Sequence, residues 1–166
     1  MSTASKDARG RFPSFQLRSP SGQIISETWL QQRPLTLVLF YKKDCPTSRL
    51  VNTLLSDLWR AHSLPAELIL LVSQDREEKT AQTVTEWELP FPVACDAPAY
   101  SLSKILDFEA VPTGYLVSRN LSIQHWFTGF VRQEFQEVLE ALLKANGIDA
   151  PVELNARSDL PVFSPG

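Results

Sequence analysis

The sequence has few of the residues that build cross-linked or metal-dependent folds. Its 166 residues include two cysteines, two histidines and one methionine. Two cysteines are too few for a disulfide scaffold, and Cys45, Cys95, His62 and His125 lack the spacing of a zinc site. We therefore expect no metal and no cofactor, and free thiols of the kind kept in reducing compartments.

The chain also lacks long apolar runs and an excess of charge of one sign. Its best apolar run, 35–41, has the length of a strand, far below the roughly 18 residues of a membrane helix. The polar stretch 1–11 has no apolar core of the kind found in secretory signal peptides. With 16 basic and 19 acidic side chains the net charge is −3, which argues against a nucleic-acid surface. These absences predict a cytoplasmic protein that binds neither nucleic acid nor a membrane.

What the chain does have is a regular alternation of strand and helix patterns. The apolar runs 35–41 and 67–73 do not alternate with polar residues, which is typical of strands covered on both faces. Amphipathic spacing predicts long helices from Pro46 to about His62 and over 131–145. The other predicted elements are a hairpin over 12–17 and 23–25, a helix over 77–87, a strand over 91–95, a helix over 101–108 and an edge hairpin over 113–118 and 123–127. This order predicts an α/β fold with a mixed central sheet, helices on both faces and an N-terminal β-hairpin.

The chain divides into three parts. Residues 1–11 form a polar leader, residues 12–147 form one domain, and residues 148–166 form a C-terminal tail. Prolines interrupt the tail and its apolar residues follow no period. We therefore expect residues 151–166 to be frayed or loosely docked.

Cys45 is the candidate for chemistry. It follows the apolar run 35–41 and precedes Pro46, Thr47 and Ser48, which open the first long helix. Proline suits the first helical position, so Cys45 is expected at the N-cap or next to it. Unpaired N–H groups and the helix dipole stabilise a thiolate there. The alternative is a passive cysteine that packs as a small apolar residue.

Charges beside Cys45 act in both directions. Lys42 and Lys43 favour the thiolate, whereas Asp44 disfavours a second negative charge. The hydroxyl of Ser48 has two interpretations as well. It can donate a hydrogen bond to the thiolate, or it can serve the backbone of the first helical turn.

Several segments resemble the redoxin, TlpA-like and AhpC/TSA (alkyl hydroperoxide reductase/thiol-specific antioxidant) group of the thioredoxin-like superfamily. The resemblance covers about residues 12–147, and its most specific parts are Leu37–Tyr41 before Cys45-Pro46 and the stretch Ala110–Val117. It implies a thioredoxin-like fold and a role as an antioxidant oxidoreductase in redox homeostasis. It also implies that Pro112 is the family's cis-proline, facing the cysteine.

By the same resemblance, Val111 offers its backbone to an incoming peptide or thiol, and the substrate-binding loop comprises Val111, Pro112 and Thr113. The alternative for Pro112 is an ordinary trans proline in a turn, which is the commoner state of an X–Pro bond.

The sequence departs from both templates of this group. Ser48 replaces the second, resolving cysteine of a Cys-x-x-Cys motif, so no disulfide can form within the helix. Cys45-Pro46-Thr47 resembles the peroxidatic motif of peroxiredoxins, but the Pro-x-x-x-Thr-x-x-Cys lead-in and a late-strand arginine are missing. Cys95 is either a resolving thiol or a buried small residue.

Three functions follow, in order of preference. The first is monothiol exchange, in which Cys45 attacks a protein or small-molecule disulfide, stabilised by Thr47, Ser48 and the helix start. The mixed disulfide is then resolved by an external thiol such as glutathione or by Cys95. The second is a non-catalytic binding module that holds a peptide along Val111-Pro112. The third is a peroxiredoxin-like thiol peroxidase.

Overall fold

The computed structural model describes residues 10–166, so residues 1–9 of the predicted leader lie outside the described residues. The strands are β1 (Gln16–Arg18), β2 (Ile24–Ser26), β3 (Leu35–Tyr41), β4 (Ile69–Ser73), β5 (Val93–Cys95), β6 (Thr113–Ser118), β7 (Ile123–Thr128), β8 (Phe130–Val131) and β9 (Phe163–Ser164). The helices are α1 (Glu27–Leu30), α2 (Pro46–Ala61), α3 (Glu77–Glu86), α4 (Ser101–Leu106) and α5 (Arg132–Ala145), and 3-10 turns occupy Ala66–Leu68 and Leu154–Ala156.

Seven of the strands form one mixed sheet in the order β2-β1-β5-β4-β3-β6-β7. Strand β4 is parallel to both of its neighbours, β3 and β5, whereas β1–β2, β1–β5, β3–β6 and β6–β7 are antiparallel pairs. This arrangement confirms the predicted mixed sheet, the N-terminal hairpin and the edge hairpin. A second, two-stranded sheet of β8 and β9 was not predicted.

The core lies on both faces of β3, whose seven residues are all buried. Leu37 and Leu39 pack in a cluster with residues of α2 and α5. Val38 and Phe40 point to the opposite face, into a cluster that contains Leu102 of α4. Because successive strand residues point to opposite faces, only a strand covered twice needs an uninterrupted apolar run. The prediction from the run 35–41 is confirmed.

Local signals also placed most element boundaries within a few residues. The strand predicted over 67–73 begins at Ile69, because Ala66–Leu68 forms a 3-10 turn. The helix predicted over 101–108 ends at Leu106. Helix α1 was missed, since a single turn gives too short a window for periodicity. Among residues 10–166, no helix is both long enough and apolar enough to cross a membrane.

The C-terminal tail is docked, contrary to our expectation for residues 151–166. Val152, Leu154 and Leu160 are buried in the cluster that holds α5. The N–H of Leu154 donates to the buried side-chain carbonyl of Gln136, at 2.7 Å. These three residues enter the core separately, whereas Val162 and Phe163 are exposed, so no local period reveals the packing. Beyond it, β9 pairs with β8 and brings the tail toward Cys45.

Candidate active site

Cys45 is the N-cap residue of α2. Its backbone is extended (φ −94°, ψ 114°), Pro46 is the first helical residue, and the N–H of Ser48 donates to Cys45 Sγ at 3.3 Å. The sulfur therefore takes the place that a hydroxyl or carboxylate oxygen holds in common N-caps. A thiolate at this point gains from that N–H and from the positive end of the helix dipole.

The loop before β6 faces the same sulfur. The Cys45 thiol donates to the carbonyl oxygen of Val111 at 3.3 Å, and the Val111–Pro112 peptide bond is cis. Thr113 is fully buried, and its hydroxyl donates to the carbonyl of Ala110 at 2.5 Å. Of the three residues predicted to bind substrate, Thr113 therefore shapes the loop instead of lining the surface, and Val111 is the one in contact with Cys45.

Ser48 contacts the Cys45 sulfur through its backbone N–H, not through its hydroxyl. Its side chain is 0% exposed, and its hydroxyl accepts a hydrogen bond from the N–H of Lys42 at 3.2 Å. Of the two interpretations of this hydroxyl, the structure therefore shows a bond to the backbone, and it is the Ser48 N–H that donates to the sulfur. The hydroxyl thus ties the end of β3 to the start of α2 and fixes the position of Cys45.

Two of the charged residues before Cys45, Lys43 and Asp44, form ion pairs with other side chains. Lys43 forms an ion pair with Glu86 at 2.9 Å, and Asp44 forms one with Lys79 at 2.6 Å. The hydrogen bond from Lys79 lowers the pKa of the Asp44 carboxyl below its ordinary value. The unfavourable effect of Asp44 on a thiolate is therefore offset by Lys79, and the favourable effect of Lys43 is offset by Glu86.

Cys45 opens into a polar cavity of about 690 Å³. Lys42, Gln74 and Tyr100 line this cavity and also an adjoining one of about 410 Å³ that reaches Val111. These volumes lie in the range of sites for small molecules. The residues Gln74 and Tyr100 were not predicted, although Gln74 follows β4 at the carboxyl edge of the sheet, where sites of α/β proteins assemble.

The buried carboxylate of Asp96 anchors residues that line this cavity. Asp96 accepts hydrogen bonds from the N–H groups of Leu102 at 3.0 Å and Ser103 at 2.9 Å, and from the Gln74 side chain at 3.3 Å. The hydroxyl of Tyr100 donates to the Gln74 carbonyl at 3.2 Å. Asp96 thereby anchors the start of α4 and the two wall residues together.

Cys95 ends strand β5, which lies two strands away from β3 in the sheet. In the sheet, Tyr41, Ser73 and Cys95 are adjacent partners on β3, β4 and β5, so Cys95 is two strand spacings, about 9–10 Å, from the end of β3. The Thr80 hydroxyl contacts its thiol, and burial raises the thiol's pKa above its ordinary value. Both cysteines are free, and their hydrogen-bond partners differ. Residues 10–166 contain no cluster of three or more His, Cys, Asp or Glu side chains that could hold a metal ion.

Thr47 is engaged by a part of the chain that the sequence did not connect with the site, residues 163–166. Its hydroxyl donates to the carbonyl of Pro165 at 2.5 Å and accepts from the hydroxyl of Ser164 at 2.6 Å. The predicted support of the thiolate by Thr47 is thus replaced by a contact with this 163–166 segment. The segment ends against the loop before β6, where a Cβ added to Gly166 would lie 2.6 Å from the Val111 oxygen.

Solved structures share this fold at low sequence identity. A thiol-disulfide oxidoreductase from Bacteroides fragilis NCTC 9343 superposes with a TM-score of 0.66 at 20% identity, covering 81% of this chain and 100% of that one. A hypothetical protein from Sinorhizobium meliloti 1021 superposes with a TM-score of 0.69 at 19% identity, covering 92% and 89%. The thioredoxin domain of a thiol-disulfide oxidoreductase from Bacteroides vulgatus superposes with a TM-score of 0.65 at 17% identity, covering 80% of this chain and 95% of that one. These likenesses establish the thioredoxin-like fold.

Comparison of the amino-acid sequence with family models assigns the chain to a family as well as to a fold. No curated protein matches it significantly, but the model of the AhpC/TSA family matches residues 8–126. That match includes both Cys45 and Pro112 and spans more than half of the sequence. The chain therefore belongs to the AhpC/TSA family.

Proposed function

We propose that this protein is an oxidoreductase that exchanges thiols and disulfides through Cys45 alone. One observation carries the proposal: the Cys45 sulfur accepts the Ser48 N–H at a helix start and contacts the Val111 carbonyl beside an open polar cavity. Position 48, one turn further on, carries a hydroxyl instead of a second thiol.

The first step is attack by the Cys45 thiolate on one sulfur of a disulfide R–S–S–R′. The bond between Cys45 Sγ and the R sulfur forms while the R–S–S–R′ bond breaks. The R′ sulfur leaves with the electron pair and takes a proton from solvent. In this step the N–H of Ser48 and the N-terminus of α2 face the attacking thiolate.

An external thiol then resolves the mixed disulfide. It attacks the Cys45–S–S–R bond, forms a disulfide with R and returns Cys45 to its thiolate form. The cavity beside Cys45 is lined by Lys42, Lys79 and Asp75, among others. Side chains of both signs suit a small zwitterionic thiol of the glutathione class. Cys95 is the alternative resolving thiol, but its contacts lie with Thr80, and its raised pKa reduces its thiolate fraction.

Incubation with oxidised glutathione tests the proposal. We expect a glutathione adduct on Cys45, detected by peptide mass spectrometry, and its removal by reduced glutathione. Cys45→Ala should abolish the adduct and Cys95→Ala should leave it unchanged. Iodoacetamide should alkylate Cys45 faster at neutral pH than a small reference thiol. Adducts confined to Cys95, or a Cys45 no more reactive than the reference, would instead favour the binding module.

The peroxidase alternative is tested separately. The residues before Cys45, Lys42-Lys43-Asp44, do not provide the family's peroxide-binding lead-in. We therefore expect little turnover of hydrogen peroxide. Conversion of Cys45 to its sulfenic acid at a rate far above that of free cysteine would make the peroxidase the better assignment.

A further inference from the structure

The 163–166 segment covers one side of Cys45. Its first two residues pair with β8, with Phe163 opposite Val131 and Ser164 opposite Phe130. The segment then crosses the start of α2, where Thr47 bonds both Ser164 and Pro165. It thus runs between the first turn of α2 and the loop before β6, the two structures that also hold the Cys45 sulfur.

The segment lies against the Val111 backbone, where an extended substrate chain would have to bind to reach Cys45. Gly166 packs against the Val111 carbonyl oxygen, which is the oxygen that accepts from Cys45. Gly129 admits the segment closely, because a Cβ there would lie 3.1 Å from the Ser164 carbonyl and 3.2 Å from the Gly166 nitrogen. A second extended chain cannot lie along the same surface while the segment is in place.

The segment is held by short-range polar contacts more than by buried apolar area. Two residue pairs join it to β8, and the Thr47 hydroxyl joins Ser164 and Pro165 to α2. Phe163 is 57% exposed, and Val162 before it is 66% exposed. Short exposed strands with little buried apolar area open at low free-energy cost. A local substitution therefore suffices to displace the segment without unfolding the domain.

Cys45 also lines an open cavity that the segment does not line. This cavity has a volume of about 690 Å³. Apart from Tyr100, its lining residues belong to α3 or follow β3 and β4, and none of those given by the described residues lies in the 163–166 segment. A small disulfide can reach the sulfur through this cavity while the segment stays docked.

We propose that the 163–166 segment is a specificity element that restricts Cys45 to small-molecule disulfides and excludes extended peptide disulfides. This inference rests on the exchange function proposed above and adds its substrate class. The chemistry is the same exchange step: the Cys45 thiolate attacks one sulfur, and the other sulfur leaves as a thiolate that is protonated by solvent.

Two mixed disulfides with the same leaving group test the proposal. One joins thionitrobenzoate to cysteamine, and the other joins it to the cysteine of an extended peptide. Release of thionitrobenzoate by the full chain is followed by absorbance, and mass spectrometry assigns the acceptor to Cys45. Ser164→Pro removes the hydroxyl that bonds Thr47 and the N–H of a β9 residue. Ser164→Thr keeps both and is the matched control.

We expect Ser164→Pro to raise the peptide rate about tenfold, because losing roughly one or two hydrogen bonds changes an equilibrium by about that factor. The cysteamine rate should stay within about twofold, and Ser164→Thr should match the wild type in both. A wild-type peptide rate equal to that of Ser164→Pro, or an equal rise with both disulfides, would overturn the specificity role while leaving the exchange function intact. Reaction of Cys45 with neither disulfide in any variant would reject the exchange function and this inference with it.

Thermal unfolding of the three proteins serves as the check on folding. A second variant, Gly129→Ala, places a Cβ 3.1 Å from the Ser164 carbonyl and 3.2 Å from the Gly166 nitrogen and keeps the Ser164 hydroxyl. It should raise the peptide rate in the same direction. Faster reaction of the peptide disulfide in Ser164→Pro but not in Gly129→Ala would contradict displacement of the segment as the cause.

Discussion

Ser48→Cys is the change that decides whether turnover is limited by the missing second thiol. Position 48 lies on the first turn of α2, with its N–H 3.3 Å from the Cys45 sulfur. A thiol there can attack a mixed disulfide on Cys45 from within the same helix turn. An internal thiol behaves as a reactant at millimolar or higher effective concentration, so against an external thiol at about 10 µM resolution should be roughly 100-fold faster.

The same substitution has a cost in stability that the structure allows us to estimate. The Ser48 hydroxyl accepts the Lys42 N–H at 3.2 Å in a fully buried position. Sulfur is a weak acceptor, so Ser48→Cys should lower the free energy of unfolding by about 1 kcal/mol. Ser48→Ala leaves the N–H without a partner and should cost about 1–3 kcal/mol. Urea denaturation measures both values.

The assay is a single turnover with thionitrobenzoate bound to Cys45 as a mixed disulfide. In Ser48→Cys, thionitrobenzoate should leave without added thiol as a disulfide forms between Cys45 and the introduced thiol. In the wild type and in Ser48→Ala it should remain bound until glutathione is added. If release from Ser48→Cys is no faster than from Ser48→Ala, the argument from the helix turn is wrong. Release from the wild type without added thiol, with a Cys45–Cys95 bridge in the peptide map, would identify Cys95 as the resolving thiol.

Three further predictions concern stability, each measured by urea denaturation. Gly114→Ala should cost about 1–3 kcal/mol, because the added Cβ would lie 2.3 Å from a ring carbon of the buried Phe127; an unchanged midpoint would show that the ring can move aside. Asp96→Ala should cost about 3 kcal/mol or more, since charge-assisted hydrogen bonds to two N–H groups of α4 are lost, and a loss below about 1 kcal/mol would contradict this role. Burial raises the pKa of Cys95, so its contribution to stability is fully present below the ordinary thiol pKa and is lost as pH rises through the raised value. Between neutral and alkaline pH, Cys95→Ala should therefore lose less of its free energy of unfolding than the wild type. An equal change of this free energy with pH in both proteins would refute the stabilising role of the protonated Cys95 thiol.

The sequence by itself determined the elements that are specified by short-range pattern. The run 35–41 is apolar at almost every position because β3 is buried on both faces, and the spacing after Pro46 forms the buried face of α2 because helical residues three and four apart share a side. Cys45 could be placed at the helix start because Pro46 precedes the helical spacing and proline favours the first helical position. The position of Val111 opposite Cys45 came from the family resemblance and not from any local pattern.

Only the tertiary structure decided which side chains meet around Cys45. Thr47 and Ser164 are separated by 117 residues and bond through two hydroxyls, and no spacing in the sequence marks such a pair. The tail was misjudged for the same reason: Val152, Leu154 and Leu160 reach the core one at a time, so they follow no helical or strand period. Periodicity reports burial of a continuous face, whereas these contacts depend on how distant elements are brought together by the sheet.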